Sequence, residues 1–141
     1  MAIDGDWYNE FGSRMRLRPD AEGGLSGEYV SAVGHVAGTY RLIGRYAGST
    51  EAGHGIVLGW TIAWHNDRGS ADSVTSWSGQ YLAQDPERIL TTWLLSRSAE
   101  PDEVWEATVV GQDVFTRRPP TDEEVERSLR SGRPVPHPKA P

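Results

Sequence analysis

The feature that most limits the fold is a short alternation that recurs along the chain. Apolar and polar residues exchange places at every second position, and Gly, Pro, Asp or Asn ends each run before it grows long. A period of two describes a β-strand with one buried face, because successive side chains leave an extended chain on opposite sides. One run is unusual. In Ser73-Val74-Thr75-Ser76-Trp77-Ser78-Gly79, the residues Ser73, Thr75 and Trp77 share a face. A buried hydroxyl without a partner costs roughly 1–3 kcal/mol, so two hydroxyls beside an indole imply that this face receives something with polar atoms of its own.

Alternating runs fall at 5–9, 14–18, 25–31, 39–46, 56–65, 70–82, 88–97 and 108–116. Turn-forming residues such as Pro19-Asp20-Ala21-Glu22-Gly23-Gly24, Asn66-Asp67-Arg68-Gly69 and Asp85-Pro86-Glu87 separate them, and residues 98–106 are expected as a loop. Short strands joined by short turns form an antiparallel meander. Closing it abolishes both edges, and an eight-stranded up-and-down β-barrel is just wide enough for one small ligand. The expected class is therefore all-β, with a barrel domain over residues 1–117 and a tail over 118–141. Within the tail, Thr121 and Glu124 have the spacing of a capping box, and Gly132 suits the end of a short helix. Residues 133–141, with four prolines, are expected to be extended and solvated.

The formal charge of −6 over 141 residues argues against a nucleic-acid partner. No apolar run approaches the ~18 residues of a membrane span. Cysteine is absent, and the first residues lack the pattern of a signal peptide.

Strand parity collects a polar inward set: Tyr29 and Ser31, Ser73 and Thr75, and Asp113, with Asn9 and Ser13 flanking the first turn. Trp64, Trp77 and Trp93 form an aromatic set. Apolar walls with a few polar anchors are what a small-molecule pocket requires. Each tryptophan taken alone is ordinarily core, and each hydroxyl can be satisfied locally. Asp113 is harder to explain that way, since an unpaired buried carboxylate is costly. Catalysis has little support: there is one inward carboxylate rather than a pair, and no serine lies in a nucleophile elbow. His35, His54, His65 and His137 lack metal-ligand spacing.

At this point the blocks Gly5-Asp6-Trp7-Tyr8-Asn9-Glu10-Phe11-Gly12-Ser13, Leu58-Gly59-Trp60-Thr61-Ile62-Ala63-Trp64, Thr75-Ser76-Trp77-Ser78-Gly79-Gln80-Tyr81, Thr92-Trp93-Leu94-Leu95 and Val110-Gly111-Gln112-Asp113-Val114-Phe115-Thr116 can be set side by side. In this order they resemble the avidin/streptavidin family, most of all bacterial streptavidin. That family is a standard example of an eight-stranded ligand-holding barrel. The resemblance implies a non-enzymatic, secreted, biotin-binding protein without cofactor or metal, its signal peptide removed.

Carried over residue by residue, the resemblance implies that Asn9, Ser13 and Tyr29 donate to the ureido oxygen of biotin. Ser31 and Asp113 accept from its two N–H groups, and Thr75 faces the ring sulfur. Ser73, with Val33 and His35 of a glycine-flanked lid at 32–38, holds the valerate carboxylate. Trp64, Trp77, Trp93 and Leu95 wrap the ring, and Trp105 reaches a neighbouring subunit's site in a homotetramer, with a dimer as the alternative. Phe11, His35 and Gln112 depart from the family pattern as leucine-, asparagine- and histidine-like positions. Two further readings stay open: a pocket occupied or regulated by the chain's own C-terminal peptide or a protein partner, and a lipocalin-like carrier of another small ligand.

Overall fold

The computed structural model describes residues 1–31, 38–65 and 72–138. Its strands are β1 (Gly5–Tyr8), β2 (Arg14–Pro19), β3 (Gly24–Val30), β4 (Thr39–Ala47), β5 (Ile56–Trp64), β6 (Ser73–Leu82), β7 (Arg88–Arg97) and β8 (Thr108–Thr116). They close into a barrel in sequence order, every neighbour antiparallel. The alternation seen in the sequence is the burial pattern: in β2, Met15 and Leu17 point inward between three exposed arginines. In β5, Trp60, Ile62 and Trp64 point inward together.

The segment expected as a loop at 98–106 instead contains a 3-10 turn, Pro101–Ala107. Pro101 presets its first φ angle, and the Glu103 amide donates to the Glu100 carbonyl at 2.9 Å.

Strand direction alternates, so the connections after β1, β3, β5 and β7 leave at one end, which is the mouth. The opposite end is sealed. Trp7 sits there with its indole N–H donating to the Ile3 carbonyl at 2.9 Å and its ring edge-on to Tyr81. Each such buried aromatic contributes roughly 1.5–3 kcal/mol by burial alone.

The seam between β1 and β8 is the thin point of the barrel, with only Tyr8 and Thr116 in register. Arg117 bridges it. Its guanidinium donates to the carbonyls of Asp6, Ala2 and Asp4 at 2.9, 2.8 and 3.0 Å, pairs with Glu87 at 3.2 Å, and lies 3.8 Å over the Trp7 ring.

Beyond the barrel, α1 (Asp122–Arg130) begins at a complete capping box. Thr121 accepts from the Glu124 amide, and the Glu124 carboxylate accepts from the Thr121 amide. The helix lies along the seam, where Val114 and Glu10 face Glu124 and Ser128 across a groove. Gly132, at φ +77°, turns the chain back toward the mouth.

Gly111 of β8 faces inward opposite Trp93. A Cβ added there would stand 2.2 Å from Trp93 Cζ2. Gly111→Ala therefore has to push the indole aside. It should destabilise the fold by about 1–3 kcal/mol and change the tryptophan emission spectrum. Unchanged melting and emission would show that Trp93 yields freely.

Candidate ligand pocket

Three neighbouring strands build one wall. Cross-strand register sets Trp64 against Ser73, Ile62 against Thr75 and Trp60 against Trp77. On the other side Trp77 meets Trp93 and Thr75 meets Leu95. Trp60 and Trp77 stack at 5.6 Å. Tyr29, from β3, crosses edge-on to Trp64 at 5.6 Å, and Tyr40 does so at 4.9 Å. Such pairs add about 0.5–1.5 kcal/mol each beyond burial and hold the rings in fixed positions.

The polar groups converge inside this cage. Asn9 is buried just after β1. Its side-chain carbonyl accepts from the Phe11 and Ser13 amides at 3.1 and 2.9 Å, fixing the turn. That leaves its amide to point at the Tyr29 hydroxyl, 3.2 Å away. Ser13 is fully buried and also hydrogen-bonds Tyr29. Burial, reinforced by the negative charge of Asp113, raises the Tyr29 phenol well above its ordinary range and keeps it a neutral donor.

Asp113 is 1% exposed. Its Oδ2 accepts from the Trp77 indole at 3.1 Å, and its Oδ1 has no hydrogen-bond partner among the described residues. Burial pushes the carboxyl up to about 7, and the Glu10 charge adds to the rise. The N–H groups of Trp77, Asn9 and Trp93 oppose it. Oδ1, held dry and without a hydrogen-bond partner of its own among the described residues, is suited to a ligand N–H.

At the mouth, Ser73 is buried and its hydroxyl lacks a partner among the described residues. Thr75 Oγ1 accepts from the Trp64 indole at 2.7 Å. Ser31 is half-buried directly after β3. Trp77, Trp93 and Leu95 are all buried. Val33 and His35, with the rest of the expected lid through residue 37, fall outside the described residues. Trp105 stands 92% exposed on its 3-10 turn. Among the described residues, no cluster of His, Asp and Glu is suited to a metal ion.

The tail differs from the solvated segment expected at 133–141. Pro136, His137 and Pro138 are buried. Thr75 Oγ1 donates to the Pro136 carbonyl at 2.7 Å, and the His137 ring meets Trp64 edge-on at 6.4 Å. Burial holds the His137 imidazole below its ordinary pKa. The composition that suggested a solvated chain also makes burial inexpensive, since proline has no N–H to leave unsatisfied. Phe11, singled out as a departure near the pocket, is fully buried, and the Arg133 guanidinium lies 5.4 Å over its ring. Arg133 also pairs with Glu10 at 3.3 Å. Pro136 and His137 entered the sequence reading only through the open alternative of a pocket occupied by the C-terminal peptide, because a tail without periodicity gives no face to read, and Glu10 in the first turn was missed as a neighbour of Asp113. Trp60 was visible by its parity with Trp64.

The fold and its interior define a small-molecule-binding up-and-down barrel. The avidin family model matches residues 1–118. The chain is 32% identical over 120 residues to Afifavidin of Afifella pfennigii, covering 82% of this chain and 69% of that protein. It is 28% identical over 129 residues to avidin of Gallus gallus, covering 82% and 78%. Fibropellin-1 of Strongylocentrotus purpuratus is 29% identical over 121 residues, which are 82% of this chain but 11% of that protein. The chain belongs to the avidin family, a family of non-enzymatic biotin-binding proteins.

Proposed function

We propose that this barrel binds biotin tightly and without transforming it. The observation that carries the reading is the free Oδ1 of buried Asp113 in a cage that also holds the Asn9, Ser13 and Tyr29 donors. A ureido group has a carbonyl oxygen for three donors and N–H groups for acceptors. Asn9, Ser13 and Tyr29 would take the oxygen, and Ser31 and Asp113 the two N–H groups. Thr75 would face the sulfur, and Ser73, with Val33 and His35, the valerate carboxylate. Trp64, Trp77, Trp93 and Leu95 would close around the rings. Donors on the oxygen and an anion on the nitrogen polarise the ureido group in the same direction, and in a dry site each bond strengthens the next.

Self-association belongs to the same reading. Val57, Leu90, Leu94, Val110 and Val114 are exposed on the outer sheet, and Trp105 stands clear of its own barrel. A homotetramer, or a dimer, would cover this surface and bring Trp105 to a neighbour's mouth. Secretion, and sequestration of the vitamin, follow the family reading.

The test is a calorimetric biotin titration followed by a melting curve and sizing with and without ligand. Saturation at about a thousandfold above the dissociation constant should add about 4 kcal/mol of stability. An absence of both heat and melting shift would end the biotin reading. A monomer at every concentration would end the assembly reading.

A further inference from the structure

The two halves of the ureido site stand on opposite sides of the thin seam. The donors Asn9 and Ser13 belong to the turn after β1, which is a closed unit. The Asn9 amide donates to the Ser13 carbonyl at 3.1 Å, and the Asn9 side chain accepts from the Phe11 and Ser13 amides. The acceptor Asp113 belongs to β8. Backbone register between β1 and β8 is limited to Tyr8 and Thr116. One side chain carries the contact further toward the mouth. Glu10, next in sequence to Asn9, accepts through Oε2 from the amide of Val114, next in sequence to Asp113, at 2.9 Å. Its Oε1 faces the Arg133 guanidinium at 3.3 Å, and its side chain is 19% exposed.

We propose that Glu10 is a positioning residue for Asp113: it ties the donor turn to the acceptor strand through the Val114 amide, and its charge acts on the same acceptor; the consequence for the ligand rests on the biotin reading above. A ureido group is gripped from both sides at once, so its bonds form well only if donors and acceptor keep a fixed spacing. The β1–β8 ladder is too short to fix that spacing, and Glu10 supplies a further rung from a side chain. A carboxylate suits the place, because its bond to a backbone N–H is roughly twice as strong as one between neutral groups. The same charge favours the neutral form of Asp113. The other groups around this acceptor are the N–H donors of Asn9, Trp77 and Trp93, which favour the ionised form, and the neutral Tyr29 phenol. Facing Glu10 are Arg133 and, across the groove to α1, Arg118, Glu124 and Arg127. Of these, Arg118 is paired with Glu124 at 3.4 Å.

Four full-length proteins test the assignment: the native chain, Glu10→Gln, Glu10→Ala and Arg133→Gln. Each is titrated with biotin between pH 5 and 8. Without ligand, NMR follows the titration of the Asp113 carboxyl and the exchange of the Val114 amide. Glu10→Gln keeps an oxygen for that amide and lacks the charge. The amide should stay protected, and biotin should bind about as tightly as to the native chain at pH 8. At pH 6 it should bind roughly two- to fivefold more tightly, with Asp113 titrating lower. Glu10→Ala lacks the rung as well. Its Val114 amide should exchange about tenfold faster, and biotin should bind roughly tenfold more weakly at pH 8. Arg133→Gln breaks the same ion pair but keeps the Glu10 charge, so Asp113 should titrate higher than in the native chain. An unmoved Asp113 titration in Glu10→Gln, or a downward move in Arg133→Gln, would overturn the part played by charge. A protected Val114 amide and full affinity in Glu10→Ala would overturn the tie. The NMR readings need no ligand. If they change as expected while none of the four proteins binds biotin, the biotin reading fails and the action of Glu10 on Asp113 is upheld.

Discussion

Asp113→Ala should weaken biotin binding by roughly a hundredfold to a thousandfold, as charge-assisted hydrogen bonds in dry sites are worth about 2–5 kcal/mol. The loss should be confined to ureido ligands. An apolar ligand of similar shape, which offers no N–H to Oδ1, should hardly notice the change. A loss below about threefold would place the ligand's N–H elsewhere.

The same carboxyl gives a pH signature. At pH 5 it is largely neutral and above about 7 largely ionised, and the ionised form is the stronger acceptor. Biotin should therefore bind more tightly as pH rises from 5 to 8, whereas Asp113→Asn should show little slope. Stability runs the other way. Below the ordinary carboxyl range the group is neutral both folded and unfolded and carries no penalty. From there up to about 7 the unfolded chain ionises first, so stability falls as pH rises. The full penalty, about 4 kcal/mol at most, is present above 7. Denaturant curves at pH 4.5 and 8 should show a smaller gap for Asp113→Asn than for the native chain; an equal gap would mean that Asp113 titrates normally.

Arg117→Ala should lower stability by about 3 kcal/mol and the melting temperature by on the order of 10 °C. The guanidinium replaces the ladder that the β1–β8 seam lacks, joining three N-terminal carbonyls, Glu87 and the Trp7 face. Arg117→Lys should recover less than half of this. A single ammonium cannot reach all of these carbonyls while lying flat on an indole. A melting shift below about 2 °C would mean that the seam is held by something else.

The barrel was legible because each strand has a wet face. In β2 the arginines mark the outside as plainly as Met15 and Leu17 mark the inside. The inner set on β6 and the Asp113 position followed from parity alone. The thin seam did not, because pairing depends on registers far apart in sequence, and Arg117 reads simply as the first of two arginines after a strand. The helix was legible from its cap, since Thr121 and Glu124 carry their signal locally. The burial of Pro136 to Pro138 was not, because partners such as Thr75 lie about sixty residues away and leave no mark on the tail's own pattern.

The helix that runs along the seam has one further consequence. It is capped at Thr121 and turned back at Gly132, so it acts as a spacer of set length between the last strand and the mouth. A segment delivered in this way meets its pocket at a local concentration fixed by geometry, and dilution of the protein does not change it. One chain alone in a large volume would be as fully occupied as the same chain in a crowded one.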